Sequence, residues 1–229
     1  MPRTVRDVVF VDGVRTPFGK AGPKGIYAES RADDLVINCI RELLRRNPNL
    51  PPARIDDVAI AATTQTGDQG LTIGRTASLL AGLPNSVPGY AIDRMCAGAM
   101  TAVTTTAAGI AVGAYDVVIA GGVEHMGHHP MAEGVDPNPR MVAEKLVDPS
   151  ALSMGNTAEN LHDRFPELTK DRADAYAVHS QGSSPRRTPT ARSSGVWCPS
   201  PPAAPNKGGV WRQRTSRRVR APRWRTWQS

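Results

Sequence analysis

The sequence changes character at Asp93-Arg94-Met95-Cys96-Ala97-Gly98-Ala99-Met100, where an apolar extended run ends and a helix of small residues begins. Residues 87–92 predict a strand, and residues 97–112, rich in Ala, Gly and Thr, predict a closely packed, buried helix. A thiol at the amino end of a helix meets the positive end of the helix dipole and unpaired N–H groups, which favour the thiolate. The junction therefore favours Cys96 as a nucleophile. The alternative is a packing role, because cysteine is among the residue types most often buried.

Cys39 illustrates that packing role in a run with helical periodicity. The apolar positions at spacings of three to five residues are Leu35, Val36, Cys39, Ile40, Leu43 and Leu44. Acidic residues precede this run and arginines end it, as the helix dipole favours, so an amphipathic helix is predicted with Cys39 as a packing residue. The three cysteines have no regular spacing, which predicts neither a zinc site nor a disulfide framework.

The elements around the junction alternate between strand and helix patterns. Strands are predicted over 7–12, 58–62 and 116–123, and a helix around 73–81 is followed by Gly82 and Pro84, which favour its termination. Such alternation is typical of an α/β fold whose sheet is covered on its faces. From Glu124 the pattern becomes irregular until an amphipathic helix over 170–178, and this stretch is interpreted as a loop region over the sheet.

The formal net charge of +7 conceals two different compositions. Residues 182–229 contain 11 Lys and Arg, no Asp or Glu, and all four tryptophans, leaving 17 basic and 21 acidic residues before them. The tail has no Leu, Ile, Met, Phe or Tyr, so it cannot build a core and is expected to be disordered. One reading is a nucleic-acid-binding arm, with basic runs on phosphates and tryptophans stacked on bases.

A second interpretation of this tail is a coding sequence read out of frame. Its Arg, Pro, Ser, Ala, Gly and Trp are what GC-rich DNA yields in a wrong frame. Codons can be chosen for residues 187–194 so that the neighbouring frame reads Ala-Tyr-Ala-Asn-Gly-Lys-Ile-Gln, an ordinary protein sequence. The frame-shift hypothesis is preferred over nucleic-acid binding, which would be the alternative, non-enzymatic function.

Three histidines crowd into Glu124-His125-Met126-Gly127-His128-His129-Pro130. No carboxylate or cysteine accompanies them at a recognisable metal-ligand interval, so a polar loop is preferred over a metal site. No secretory signal or long apolar span is recognised, and the chain is predicted to be cytoplasmic with no membrane contact.

Five motifs in order and spacing resemble those of the thiolase family. They are Val14-Arg15-Thr16-Pro17-Phe18-Gly19, Arg94-Met95-Cys96-Ala97, Ala120-Gly121-Gly122-Val123-Glu124-His125-Met126, Met154-Gly155-Asn156-Thr157-Ala158-Glu159-Asn160, and Ala173-Asp174-Ala175-Tyr176-Ala177-Val178-His179-Ser180-Gln181. The resemblance covers residues 6–181. It implies a thiolase-like α/β fold with an N-terminal half-domain over 1–123, the beginning of the loop domain over 124–181, and an unrelated tail over 182–229.

The resemblance also implies a reaction. Thiolases exchange acyl groups between CoA thioesters, and the cysteine matching Cys96 carries the acyl group as a thioester. Met154 matches a position that lines the acyl pocket; a core-filling methionine is the alternative. Acyl-CoA and CoA are the expected partners, with no cofactor or metal, and full-length members are homodimers or homotetramers.

Three further family motifs have no counterpart in this sequence: Gly-His-Pro, whose histidine activates the nucleophile, Cys-x-Gly-Gly, whose cysteine acts as acid and base, and Asn-Glu-Ala at an oxyanion hole. The resemblance places them in the second half of the family's chain. The present chain is therefore expected to be truncated, catalytically incompetent and prone to aggregation through a sheet face left uncovered.

Overall fold

The computed structural model describes residues 5–131 and 133–183. They form two compact units, the first ending at Glu133 and the second beginning at Gly134. The first unit holds a parallel sheet in the order β2-β1-β3, with β1 at Asp57–Ala61, β2 at Tyr90–Ile92 and β3 at Val118–Gly122. Its helices are α1 at Ala32–Arg46, α2 at Ile73–Ala81 and α3 at Gly98–Ala111. The predicted alternation of strands and helices, and with it the α/β fold, is confirmed.

The central strand β1 explains why helices cover both faces of the sheet. All five of its residues are buried, although successive side chains of a strand point to opposite faces. Val58 and Ile60 share the main hydrophobic core with α1 and α2. Ala61 points to the opposite face, where the start of α3 approaches it. Bulky side chains thus fill one face of β1, and alanines leave room for a helix on the other.

The first face is built by the predicted amphipathic helix α1. Its buried side chains include Leu35, Val36 and Ile40, as the periodicity indicates, whereas Cys39 is half-buried. The acidic pair in the first turn and the arginine pair in the last turn complement the helix dipole. The second helix ends at Gly82, whose φ of 95° is a left-handed conformation that glycine adopts without steric strain. The predicted end of α2 is therefore confirmed.

The predicted strand over residues 7–12 is wrong. These residues form no strand, and the side chains of Val9, Phe10 and Val11 are 75–86% exposed. A run of β-branched and aromatic residues becomes a strand only when a neighbour pairs with its backbone groups. Within the described residues the sheet has three strands, and this segment pairs with none of them.

The second unit consists of short helices joined by irregular segments. They are α4 at Arg140–Ala143, α5 at Met154–Arg164 and α6 at Lys170–Ser183. The start of α6 agrees with the helix predicted from residue 170, and its last two residues, 182 and 183, belong to the predicted tail. Residues 184–229 lie outside the described residues, and with them the disorder predicted for the tail. Among the described helices none has both the length and the apolar composition needed to cross a membrane.

Candidate active site

Cys96 lies where the sequence placed it, between the end of β2 and the start of α3. It occupies the middle of a single 3₁₀ turn, Met95–Ala97, which leads directly into the α-helix at Gly98. Its side chain is exposed. The amino end of α3 follows it in the chain and carries the positive end of the helix dipole, although the Gly98 N–H itself donates to the Met95 carbonyl. The position thus presents a thiol to solvent beside an electropositive helix end.

The backbone before Cys96 has an uncommon conformation. Met95 has a φ of 48°, in the left-handed region. This backbone conformation costs a residue with a side chain about 1–2 kcal/mol. The Met95 N–H donates to the Asp93 carboxylate over 3.0 Å, and the Ala97 N–H donates to the Arg94 carbonyl over 3.1 Å. These two bonds close the turn and fix the direction from which Cys96 leaves the backbone.

Small residues allow α3 to approach the sheet directly behind Cys96. A Cβ atom added to Gly98 would lie 2.8 Å from the Ala61 Cβ, and one added to Gly122 would lie 3.1 Å from the Ala99 Cβ. Neither distance leaves room for a larger side chain. The start of α3 is therefore held against the carboxyl ends of β1 and β3. In open parallel sheets this is the edge where ligands bind.

The prediction of a fully buried helix is wrong for α3. Its buried residues Gly98, Ala102 and Thr106 recur every four positions, so only one narrow stripe is covered. The side chains of Met100 and Val103 on its outer side are 68% and 48% exposed. The Ala- and Gly-rich composition permits close packing on all sides, but in the part of the chain that the structure describes only one side of α3 is covered.

A polar group that sequence reasoning missed ties the ends of β1 and β3 together. The Glu124 carboxylate accepts bonds from the Thr63 N–H over 2.7 Å and from the Gln69 side-chain amide over 3.0 Å. Gln69 is fully buried, and its amide oxygen accepts a 2.5 Å bond from the His125 N–H. The signal that could have identified it is a polar residue two positions after the end of each of two parallel strands, Thr63 after β1 and Glu124 after β3.

The three clustered histidines lie in the first unit and are bound by protein groups. Both ring nitrogens of His125, His128 and His129 lie within hydrogen-bond distance of protein atoms. In the described ranges, 5–131 and 133–183, no group of three His, Cys, Asp or Glu residues has the arrangement of a metal site. Spacing within the histidine run could not reveal Asp68, which lies 60 residues before His128 and binds two of the rings.

Met154, the other predicted site residue, is the first residue of α5 in the second unit. Its side chain is 74% exposed. A surface depression of about 420 Å³ in that unit is lined by other residues, among them His162 and Leu168. A second one, of about 360 Å³, lies over residues 46–50 of the first unit. Neither includes Cys96 or Met154, so the predicted site residues lie on open surface in their own units.

The fold and this site define a class: an α/β protein that presents an exposed cysteine at the amino end of a helix, on the carboxyl edge of a parallel sheet. The family described as "Thiolase, N-terminal domain" matches residues 8–191. The chain belongs to the thiolase family, as the five motifs indicated.

Individual relatives agree with this assignment. A 3-ketoacyl-CoA thiolase of Saccharophagus degradans is 44% identical over 175 residues, covering 76% of this chain and 44% of the relative. A 3-ketoacyl-CoA thiolase of Aliivibrio salmonicida is 40% identical over 184 residues, covering 80% and 46%. The solved structure of the Bacillus anthracis acetyl-CoA acetyltransferase superimposes with a TM-score of 0.62 at 30% identity, covering 79% of this chain and 47% of that one. The chain spans about half the length of the relatives it matches.

Proposed function

We propose that this chain contributes the nucleophilic half of a thiolase-type acyltransferase, in which Cys96 accepts the acyl group of a CoA thioester. The substrates would be a 3-ketoacyl-CoA that is cleaved or acetyl-CoA that is condensed. The single observation that carries the proposal is the exposed Cys96 thiol at the start of α3, inside a family match that spans most of the chain. The names of the relatives, 3-ketoacyl-CoA thiolase and acetyl-CoA acetyltransferase, support this substrate class.

The proposed step exchanges one thioester for another. The Cys96 thiolate attacks the carbonyl carbon of the acyl-CoA, a new C–S bond forms, and the bond to the CoA sulfur breaks as CoA leaves as its thiolate. When the substrate is a 3-ketoacyl-CoA, the thiolate attacks the 3-keto carbon instead, the C–C bond from that carbon to the α-carbon breaks, and acetyl-CoA leaves as its α-carbanion, which takes up a proton. The support for negative charge on the attacking sulfur is the positive end of the α3 dipole, which lies directly after Cys96 in the chain.

The remaining parts of the proposal concern residues away from Cys96. We propose that Met154 lines the acyl pocket, for which its place in a family motif is the support. We also propose that the 229-residue polypeptide alone forms the acyl-enzyme without turning over, because its sequence contains no Gly-His-Pro, Cys-x-Gly-Gly or Asn-Glu-Ala motif. The exposed apolar side chains of α3 support assembly of the complete enzyme as a homodimer or homotetramer.

Acyl transfer from acetyl-CoA to the protein tests the proposal. The full chain carrying Cys198→Ser is incubated with acetyl-CoA, and peptide mass spectrometry locates the acetyl group. We expect acetylation of Cys96 with release of free CoA. The matched controls are Cys96→Ser, which removes the exposed thiol, and Cys39→Ser, which removes the half-buried thiol of α1 and should leave the labelling unchanged.

Two outcomes would count against the proposal. Equal labelling of Cys39 and Cys96 would show that the start of α3 confers no selectivity, and absence of label on Cys96 would remove the nucleophile. Sustained release of CoA over many turnovers would instead contradict the proposed incompetence of this polypeptide, while leaving the role of Cys96 intact.

The frame-shift interpretation of residues 182–229 is a proposal as well, supported by the composition of that segment. The encoding DNA tests it: a single-base shift near codon 182 should open a long frame that resembles the family. If no shift does so, the nucleic-acid-binding alternative gains weight, and its affinity should then fall steeply with salt.

A further inference from the structure

The histidine cluster, defined as His125, His128 and His129 with Asp68 and Glu133, joins three separate segments of the first unit. Residues 125–133 supply the histidines and Glu133, the 3₁₀ turn Gly67–Gln69 supplies Asp68, and residues 27–32 supply backbone groups. The Asp68 side chain is only 7% exposed and that of His129 8%. The thiolase reaction proposed for Cys96 makes no use of this cluster.

The geometry fixes the charge of His129. Its Nε2 atom lies 2.5 Å from a carboxylate oxygen of Asp68, and its Nδ1 atom lies 2.8 Å from a carboxylate oxygen of Glu133. An ionised carboxylate only accepts hydrogen bonds, so both ring nitrogens must carry a proton. His129 is therefore an imidazolium held between two carboxylates.

The same argument applies to His128. Its Nδ1 atom lies 2.8 Å from the other Asp68 oxygen, and its Nε2 atom lies 2.9 Å from the Ala28 carbonyl oxygen. Both partners are acceptors, so this ring is doubly protonated too. One carboxylate, Asp68, thus binds two imidazolium rings and also accepts the Ala32 N–H at the start of α1 over 2.9 Å.

His125 has the opposite character and serves as a neutral partner. Its Nε2 atom lies 2.9 Å from the Tyr27 carbonyl oxygen and must donate, whereas its Nδ1 atom accepts the His128 N–H over 3.2 Å. One donor and one acceptor correspond to the neutral ring. It stacks on the His128 ring, with centroids 4.0 Å apart, and so covers the charged ring from one side.

Charges around the cluster support the doubly protonated state. Hydrogen bonds to the Ala28 carbonyl and to Asp68 raise the pKa of His128, and they outweigh the opposing effects of burial and of nearby Arg31. Burial disfavours the charge on His129, but hydrogen bonds to Asp68 and Glu133 outweigh it and raise its pKa. Burial would likewise raise the pKa of Asp68, but bonds from the Ala32 N–H and both imidazolium rings hold it well below its usual range.

We infer that residues 125–131 together with Glu133 form a pH-sensitive latch, closed while His128 and His129 are doubly protonated and released when either ring loses its second proton. A neutral ring has one donor, so its other nitrogen would turn a lone pair toward a carboxylate or carbonyl oxygen. That contact is repulsive, and it leaves an acceptor buried without a donor. The latch would then detach from the Gly67–Gln69 turn and from residues 27–32 at the same time.

The direction of the pH effect follows from the two kinds of group. The two histidines have higher pKa values in the folded state. Their contribution to the stability of the closed latch is therefore complete below about pH 6.5, the pKa of an unperturbed histidine, and is lost as the pH rises through their raised pKa values. Asp68 titrates lower in the folded state, so its contribution is present above about pH 4 and is lost only in stronger acid. The latch is therefore closed in weakly acidic solution and opens toward alkaline pH.

Hydrogen exchange on the full 229-residue chain tests the latch without any acyl-CoA. After correction for intrinsic exchange, the protection of residues 125–133 relative to β1 should fall by about tenfold or more between pH 6 and pH 9, since each proton lost on opening changes the equilibrium about tenfold per pH unit. In His129→Gln the side chain has one donating nitrogen and one accepting oxygen at every pH, so the oxygen cannot replace the second N–H of the imidazolium; protection should be low and its pH dependence smaller. His162→Gln in the second unit is the matched control and should behave as wild type.

A second readout needs no variant. Proton NMR of the wild-type chain should show two imidazole rings titrating above the ordinary histidine range. If fewer than two of the five histidine rings titrated above that range, or if protection were equal at pH 6 and pH 9, the latch would be overturned whether or not Cys96 is a nucleophile.

Discussion

Gly98 offers the sharpest test of how α3 holds Cys96 against the sheet. The substitution Gly98→Ala adds one methyl group at the first residue of the helix, directly after the Met95–Ala97 turn. The new Cβ atom would lie 2.8 Å from the Ala61 Cβ, whereas favourable carbon contacts begin at ~3.5 Å. The helix or β1 must therefore move by somewhat less than 1 Å, and neither neighbour is a flexible side chain.

Two opposing effects set the size of the change. Replacing glycine by alanine in a helix gains up to about 1 kcal/mol from intrinsic propensity, and less at the first position. Forcing an extra methyl group into a close-packed contact loses about 1–3 kcal/mol. The unfavourable contact outweighs the gain in propensity, because Ala61 belongs to the buried central strand and cannot easily move away. We therefore expect the free energy of unfolding of the first unit to fall by about 1–2 kcal/mol.

Urea unfolding followed by pulsed hydrogen exchange measures this in each unit separately, through peptides that cover β1 and α5. Gly155→Ala is the matched control, because it changes a glycine in the first turn of α5 whose nearest outside atom, the Ser153 hydroxyl oxygen, is 3.7 Å away. That variant should be stabilised by about 0.4–1 kcal/mol. If Gly98→Ala stabilised β1 as much as Gly155→Ala stabilises α5, the tight contact behind Cys96 would not exist.

Two further predictions concern α1. Ile40 is 1% exposed in the main core, so Ile40→Ala should lower the free energy of unfolding of the first unit by about 2–4 kcal/mol in urea titrations, with Ile40→Val at about 1 kcal/mol as the control. A larger loss in the valine variant than in the alanine variant would contradict the assigned packing. Hydrogen bonds from Arg45 and Arg46 lower the pKa of Glu42 to about 2. Because the pKa of Glu42 is lower in the folded state, the free energy of unfolding of the wild type should exceed that of Glu42→Gln by about 1 kcal/mol at pH 7. This difference should vanish as the pH falls from about 4.5 to about 2. A difference that persists at pH 2 would refute the pairing of Glu42 with the two arginines.

Local signals in the sequence were sufficient to predict the helices α1 and α2. Each is specified within its own run, by apolar spacing in α1 and by the left-handed stop at Gly82 in α2. Cys96 was placed correctly for the same reason, since the change from an apolar strand to a small-residue helix is a local feature. The amphipathic period in α1 did not distinguish buried Ile40 from half-buried Cys39, because both lie on the same stripe.

Features that depend on a distant partner could not be predicted from local pattern. Residues 7–12 have the composition of a strand, but none of the described strands lies beside them. Helix α3 has the composition of a buried helix, but in the described structure only one of its sides is covered. The histidine cluster shows the reverse case. Its key residue, Asp68, is separated from His128 by 60 positions, so no interval within the histidine run could disclose the carboxylate that binds it.

The exposure of α3 also bears on how Cys96 would be activated. A helix end favours an anion most strongly where water is excluded, because solvent and salt screen its field. At Cys96 the turn and the helix are in place, but Met95 and Met100 beside it are 64% and 68% exposed. This chain therefore orients the thiol and leaves the helix end screened. In the homodimer or homotetramer proposed above, a partner surface over the outer side of α3 would bury these methionines and reduce the screening of the helix end without any new charged residue.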